Sequence, residues 1–470
     1  MNLSQQLDTY DYLKVISNLS VDCGEDVYLI GGFVRDIILN RKRNEMDFLV
    51  VGDGPAFARK LAKTLYVNEV TIYKNFGTAH FMFKDMALEF VGARKESYSR
   101  NSRNPKVEKG TLDDDLNRRD FTINCLAISL NKNTYGELLD KFNGLLDINN
   151  KLIITPLDPE KTFDDDPLRI MRAFRFSSQL GFNIDPTVFK YAAGMAERLK
   201  IVSQERITDE FMKILASPKP SVGLKLLFDS GVMKVIFPEI HNLTGVEQRK
   251  DYHHKDVFQH TCIVIDNISA VSDNIWLRFA ALVHDIAKPQ TKRFIEGTGW
   301  SFHGHEDLGA KMMKSIFERL KLPLGKLEYI EKLIRLHLRP IALVDEEVTD
   351  SAIRRLIVNA GEDLDDLITL CRADVTSKNP SKVSKYLENY EIVMNKVRDI
   401  REKDQLRAFQ SPVRGEEIMK VCGIPPSKLV GDIKTKIEDA ILDGVIGNNY
   451  EEAFEYFMKI KDGFLNEKIK

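Results

Sequence analysis

Fourteen residues after a paired glycine, Gly31-Gly32, the chain carries two carboxylates one residue apart, Glu45 and Asp47. Between them lies Val34-Arg35-Asp36-Ile37-Ile38-Leu39, and after them Phe48-Leu49-Val50-Val51-Gly52. The pattern predicts a strand, a tight glycine turn, a short helix and then a strand bearing the acidic pair. Residues i and i+2 of a strand project from one face. Two carboxylates so placed repel each other unless a cation sits between them. Hard oxygen ligands favour Mg²⁺, which keeps some waters and takes substrate phosphates as further ligands. An acidic strand end facing water satisfies the same alternation. The glycine pair weighs against that reading, because it lets backbone N–H groups at a helix N-terminus approach a phosphate closely.

At 470 residues the chain is too long for one core, since single cores stop growing near roughly 250–300 residues. The first 130 residues read as α/β, with β-rich runs at Val27–Ile30, Phe48–Val51, Val70–Tyr73, His80–Phe83, Leu88–Val91 and Leu126–Leu130 and a helix at Pro55–Leu65. After about residue 150 the strand signal vanishes. Helical spacing then dominates, beginning with Leu168–Gly181, which ends on a glycine suited to a helix C-cap. A net charge of −2 excludes a polycation that binds nucleic acid with its whole surface, so RNA contacts must be local. The stretch 94–109, with six Lys/Arg against two Glu, is one candidate patch and reads as a flexible loop. No apolar run approaches a membrane span, and the N-terminal MNLSQQLDTYDYLKVI lacks the pattern of a secretory signal. Five scattered cysteines without a Cys-x-x-Cys pair argue for reduced thiols and a cytoplasmic protein.

Two further segments carry chemistry. In Arg118-Arg119-Asp120-Phe121-Thr122-Ile123-Asn124, adjacent arginines suit triphosphate oxygens, and Asp120 suits a ribose hydroxyl. In Asp165-Asp166-Pro167-Leu168-Arg169, continuing to Arg172 and Arg175, Asp166 and Arg169 would be i,i+3 neighbours on a helix. A local ion pair accounts for them equally. As base readers they have a definite logic. Cytosine and adenine both present an amino donor beside a ring-nitrogen acceptor, which an Asp and an Arg complement; uracil and guanine present a carbonyl instead.

The segments LIGGFVRDIIL, EMDFLVVG, RRDFTINCLA, DKFNGLLD, DDPLRIMRAFRFSSQLGF and QERITDEFMKIL resemble, in order, the bacterial CCA-adding tRNA nucleotidyltransferase and poly(A) polymerase family of the polymerase-beta-like superfamily. The resemblance implies an α+β nucleotidyltransferase head followed by an all-α neck. It assigns Glu45 and Asp47, with Glu89 as a third carboxylate, to catalytic Mg²⁺. Gly31, Gly32, Arg35 and Asp36 would shape the triphosphate turn; Arg118, Arg119, Asp120 and Asn124 would contact ribose and phosphate; Asp166, Arg169 and Arg172 would read the base. DKFNGLLD resembles a hinge element, and Glu205-Arg206 with Glu210 and Lys213 would brace the neck helices. Glu45 and Asp165 depart from the family's Asp-x-Asp and Glu-Asp, and Asn40 stands where a glycine is usual, in a residue type that tolerates left-handed backbone. The implied reaction is two-metal phosphoryl transfer from CTP and ATP to a tRNA 3′ end.

Seven of nine histidines lie between 253 and 337: His253, His254, His260, His284, His303, His305 and His337. His284-Asp285 sits in the apolar run RFAALVHDIAKP, where burying both side chains is costly unless they pair or bind metal. With His260 and Asp374 they would suit a divalent transition metal or Mg²⁺. HDIAK and FHGHEDLGA resemble the HD phosphohydrolase superfamily, which implies possible hydrolysis of a phosphomonoester or 2′,3′-cyclic phosphate; a buried polar network is the plainer alternative. The tail segment SPVRGEEIMKVCGIPPSKLVGDIKTKIEDAI resembles that of HD-containing members and implies tRNA binding. The expected domains are a head at 1–150, a neck at 151–240, an HD domain at 241–385 and a helical tail at 386–470. The rival readings are a poly(A) polymerase, an A-adding or CC-adding enzyme, and an HD phosphohydrolase with an RNA-binding head. A non-catalytic RNA-binding scaffold leaves the paired carboxylates without a purpose.

Overall fold

A computed structural model of the chain describes residues 1–73, 77–99, 102–245, 256–296, 299–345, 349–377, 379–404 and 411–466. They form two compact units, Met1–Asn242 and Leu243–Lys470. In the first unit the strands of the α+β part are β1 (Asp26–Ile30), β2 (Glu45–Val51), β3 (Thr71–Tyr73), β4 (Thr78–Phe83), β5 (Met86–Gly92), β6 (Arg94–Ser99), β7 (Ser102–Lys109), β8 (Ala127–Ser129) and β9 (Leu138–Leu139). Seven of them make one mixed sheet in the order β3-β4-β5-β2-β1-β8-β9.

Strand β2 lies inside this sheet, antiparallel to β1 and parallel to β5. Met46, Phe48, Leu49 and Val50 are fully buried, so the strand is apolar on both faces along most of its length. Only near its N-terminal end do Glu45 and Asp47 emerge. β1 delivers the chain into Gly31, whose φ of +70° is open to glycine and strained for other residues. The helix Gly32–Ile38 follows at once. Asn40 adopts φ 53°, the left-handed backbone its residue type tolerates.

Two sequence expectations are corrected here. The stretch 94–109 is the antiparallel hairpin β6–β7, with an irregular register between Ser97 and Ser99. Its sequence is polar and lacks apolar alternation, so no strand pattern marked it. Strands also persist beyond residue 150, pairing Leu152–Ile153 with Asn183–Ile184 and Arg293–Ile295 with Gly299–Ser301. At two or three residues each, they are too short for periodicity to register.

The helix Leu168–Leu180 stops at Gly181 with φ 69° and packs on the helices Gln204–Leu215 and Pro220–Asp229. Among its described residues, the second unit is helical apart from a small hairpin. Helices Val257–Val271, Ile275–Val283, His305–Leu320, Leu327–Leu336 and Leu364–Asp374 surround the histidines. Near its C-terminal end, helices Gly415–Cys422, Lys428–Leu442 and Tyr450–Asn466 close a small core around Ile418, Ile433, Ile437 and Phe457. No helix among the described residues is long and apolar enough to cross a membrane.

Candidate active site and metal centre

A cleft of about 800 Å³ opens in the first unit, lined by Gly31, Gly32, Arg35, Asp36, Glu45, Asp47, Arg119, Asp120, Asn124 and Arg172, with Arg41, Lys42, Arg43, Arg175, Phe176 and Lys213 adding charge and one ring. Glu45 and Asp47 share it. Glu89 is not among its lining residues, yet it faces Asp47 across the β2–β5 pair, in parallel register. Burial pushes the Asp47 carboxyl up, and Glu45 adds to it, against the pull of Arg43 and Arg119. Glu89 is raised as well, by burial first and then by the Asp47 charge. Three carboxylates whose charges act on one another, two of them reluctant to ionise, are relieved by a divalent cation. Their oxygen donors fit Mg²⁺.

The rest of the lining is mostly cationic. Buried Arg35 donates from Nε and Nη2 to the two Asp36 oxygens, both at 2.9 Å, and from Nη1 to Asn124 Oδ1 at 2.8 Å. The guanidinium groups of Arg35, Arg172 and Arg175 surround the Phe176 ring at 5.0, 5.4 and 4.4 Å from its centroid. Such a cluster of positive charge in a cleft attracts phosphates and holds its geometry through the ring. A Cβ at Gly31 would lie 3.1 Å from Arg119 Nη1 and 3.3 Å from Asp47 Oδ2, so the glycine keeps this corner of the cleft open.

Several residues singled out by sequence sit differently from expectation. Both Asp120 oxygens are engaged: Oδ1 accepts from Phe121 N and Asn124 Nδ2, and Oδ2 accepts from Arg172 Nε at 2.7 Å. Arg118 does not line the cleft; with Arg119 it clasps buried Asp115. Asp115 was missed, although its i,i+3 and i,i+4 spacing to the two arginines was visible. Asp166 and Arg169 do not pair. Asp166 accepts from Leu168 N at 3.2 Å and from Arg206 Nη2 at 3.1 Å, while Arg169 donates from Nη1 to Thr162 O at 3.2 Å and from Nη2 to Arg118 O. Neither lines the cleft. Among the bracing residues, Glu210 meets Arg175 Nε at 3.2 Å, and Lys213 meets Asp209. In DKFNGLLD, Asp140 accepts from Gly144 N and Leu145 N, and Asp147 accepts from Thr122 Oγ1 at 2.6 Å, tying it to the arginine-bearing segment.

The second unit gathers a separate centre. His260 Nε2 lies 2.7 Å from Asp374 Oδ1, and His284 Nε2 lies 3.2 Å from Asp285 Oδ2 and 3.5 Å from Asp374 Oδ1. All four predicted residues therefore meet. Two more histidines join them: His305 Nε2 lies 3.3 Å, and His337 Nε2 3.9 Å, from Asp285 Oδ1. His284, Asp285 and His337 are almost wholly buried. His253 and His254 lie outside the described residues, and His303 is an exposed neighbour.

The tautomers follow from the partners. His284, His305 and His337 each place Nδ1 at 2.6–2.8 Å from a backbone carbonyl, of Ala281, Phe302 and Ile334. A carbonyl only accepts, so Nδ1 carries a proton and Nε2 is the atom turned to the carboxylates. His284 Nε2 makes no hydrogen bond of acceptable geometry. Carboxylates gathered around it call for a cation, a metal ion or a proton. Burial opposes a proton on His284, but Asp285 and Asp374 outweigh it and raise its pKa to about 10, so without metal the proton fills that place. Burial and the nearby His284 charge lower His337 to about 4. The outward-bonded histidines are what metal ligands need to hold their orientation. The donor atoms fall into two groups that share Asp285, one with His260 and His284 and the other with His305 and His337.

Both units match known protein families. The chain matches the poly A polymerase head domain over residues 27–154, a probable RNA- and SrmB-binding site of polymerase A over 181–244, and the HD domain over 257–378. It is 31% identical to an A-adding tRNA nucleotidyltransferase of Deinococcus radiodurans over 349 residues, covering 72% of this chain and 77% of that one. It is 33% identical to a multifunctional CCA protein of Psychromonas ingrahamii over 308 residues, covering 63% of this chain and 71% of that one. A solved tRNA nucleotidyltransferase complexed with a primer tRNA and an incoming ATP analog shares the fold, with a TM-score of 0.60 at 24% identity over 82% of this chain and 99% of that one.

Proposed function

Because the chain belongs to the CCA-adding tRNA nucleotidyltransferase and poly(A) polymerase family, in its branch with an HD domain, we propose that it completes tRNA 3′ ends by adding C, C and A from CTP and ATP. The observation that carries this is the cleft whose lining Glu45 and Asp47 share with Arg35, Arg43, Arg119 and Arg172. Mg²⁺ held by Glu45, Asp47 and Glu89 would supply electrostatic activation of the 3′-hydroxyl and charge neutralisation at the phosphates. The chain's own residues do the positioning. Gly31 and Gly32 admit the triphosphate against the start of the helix Gly32–Ile38. Arg35, Arg119 and Arg172 line the path its oxygens take, and Asn124 and Asp120 orient the arginines from behind.

Base choice falls to Asp166 and Arg169. Arg169 stands on the same face of its helix as Arg172, Phe176 and Gln179, which line the cleft, one turn closer to the N-terminus. An incoming cytosine or adenine would replace the carbonyl partners of Arg169 and draw Asp166 from Arg206. The likeness to an A-adding relative favours, as a second reading, addition of the terminal A alone.

The test uses tRNA lacking its last three nucleotides, with each nucleoside triphosphate supplied singly and in pairs. Three ordered additions from CTP plus ATP are expected. Addition to a substrate already ending in CC, with none to the shorter one, selects the A-adding reading, a long A tail selects a poly(A) polymerase, and no addition overturns the proposal. We also assign the second unit a divalent-metal hydrolytic centre for phosphate esters, with Asp285 shared between two ligand groups. Metal analysis of the protein with and without His284→Ala tests it; equal metal in both removes it.

A further inference from the structure

The small hairpin of the second unit interrupts the metal centre between two of its ligand segments. We propose that its outer face is a stacking platform for a single-stranded RNA end, which it feeds to the metal centre. The proposal rests on the hydrolytic reading of that centre and names its substrate class: RNA ends bearing a phosphate rather than small phosphate esters.

Antiparallel register sets Phe294 opposite Trp300, so both rings stand on one face, in edge contact at 5.3 Å between centroids. Phe294 is 58% exposed and Trp300 38%, although burial is the normal state of such rings. A cross-strand aromatic pair steadies a two-stranded ribbon. That alone does not account for the cations attached to it. Lys292 Nζ lies 4.3 Å from the Trp300 ring centre. Just past the strand end, Phe302 lies under Lys288 Nζ at 5.7 Å from its centroid. Lys288 in turn reaches Asp285 at 2.6 Å, and the Phe302 carbonyl faces His305 Nδ1 at 2.8 Å.

An aromatic and cationic track therefore runs from the exposed hairpin to the carboxylate shared by both metal-ligand groups. Interleaved rings and lysines match a polyanion with flat apolar faces, and alternate stacking with phosphate contact is how sequence-tolerant single-strand binding works. A folded protein partner would not need cations over the rings, and a free phosphate would not need the rings.

The chain holds two tryptophans, Trp276 and Trp300. In Trp276→Phe protein Trp300 is the sole indole, and its emission reports the platform directly. A short 3′-phosphorylated oligoribonucleotide should quench that emission saturably, while polyphosphate of equal charge should not. Phe294→Ala should weaken the oligonucleotide's affinity about fivefold or more. Phe294 is exposed, so the variant should keep its helical circular dichroism, which is checked in parallel. Quenching by polyphosphate to the same extent, or an affinity indifferent to Phe294→Ala, overturns the platform. Quenching without release of the 3′-phosphate from metal-loaded protein overturns the hydrolytic reading and spares the platform. Phosphate release without quenching does the reverse.

Discussion

At Asp47 the needs of folding and of chemistry oppose each other. Its carboxylate has Glu89 opposite it in register and Glu45 two residues away on its own strand, in a site that raises its pKa through burial. For an acid whose folded pKa lies above its unfolded value of about 3.9, the cost of ionisation is absent below that value and complete above the folded pKa. In metal-free protein the cost therefore grows as the pH rises above about 4. Asp47→Asn should raise the melting midpoint in EDTA at pH 7, and the gain should shrink as the pH approaches 4. Mg²⁺ should raise the midpoint of the natural protein but not of the variant. Nucleotide addition by the variant should fall at least about a hundredfold, since even the partners behind a metal ligand matter to that extent. A variant no more stable than the natural protein in EDTA would mean that Arg43 and Arg119 already compensate the charge.

The helix Leu168–Leu180 shows what was legible in the sequence and what was not. Its periodicity and the Gly181 stop predicted its extent, and the observed C-cap is at that glycine. The pairing of Asp166 with Arg169 rested on helical i,i+3 spacing, and that rule fails one residue outside a helix. Asp166 has φ −142° and ψ 100°, an extended backbone, and Pro167 restarts the chain as the cap of the next helix. The residue before a proline is driven to extended backbone in this way, so the signal was present and was overridden by a motif. Arg172 and Arg175 point into the cleft, and Glu210, from the Gln204–Leu215 helix, holds Arg175. Burial lowers the Arg175 pKa to about 10 even with Glu210 opposing the shift. Glu210→Ala should therefore destabilise the protein by about 3 kcal/mol, as removal of one member of a buried pair does. A lower denaturant midpoint is the readout. ATP should restore more stability to this variant than to the natural protein, because its phosphates replace the lost negative charge.

Over the whole molecule, sequence motifs located both centres, and three-dimensional convergence completed them. His260, His284, Asp285 and Asp374 were legible because HD-type spacing joins them, whereas His337 lacked a role until the turn after Leu327–Leu336 brought its Nε2 to within 3.4 Å of His305 Nε2. No pattern along the chain encodes that meeting of two helix ends. The two centres occupy separate compact units, each with its own hydrophobic core. Substitutions at sites that share no partners add with little coupling. Asp47→Ala should abolish nucleotide addition while leaving the metal content of the histidine centre and the affinity for tRNA unchanged. His284→Ala should empty that centre and keep nucleotide addition within about twofold of the natural rate. Metal analysis and primer extension on the same two preparations decide the matter. Loss of nucleotide addition in folded His284→Ala protein would show that the histidine centre serves the polymerising head, and the two activities would then have to be understood as one.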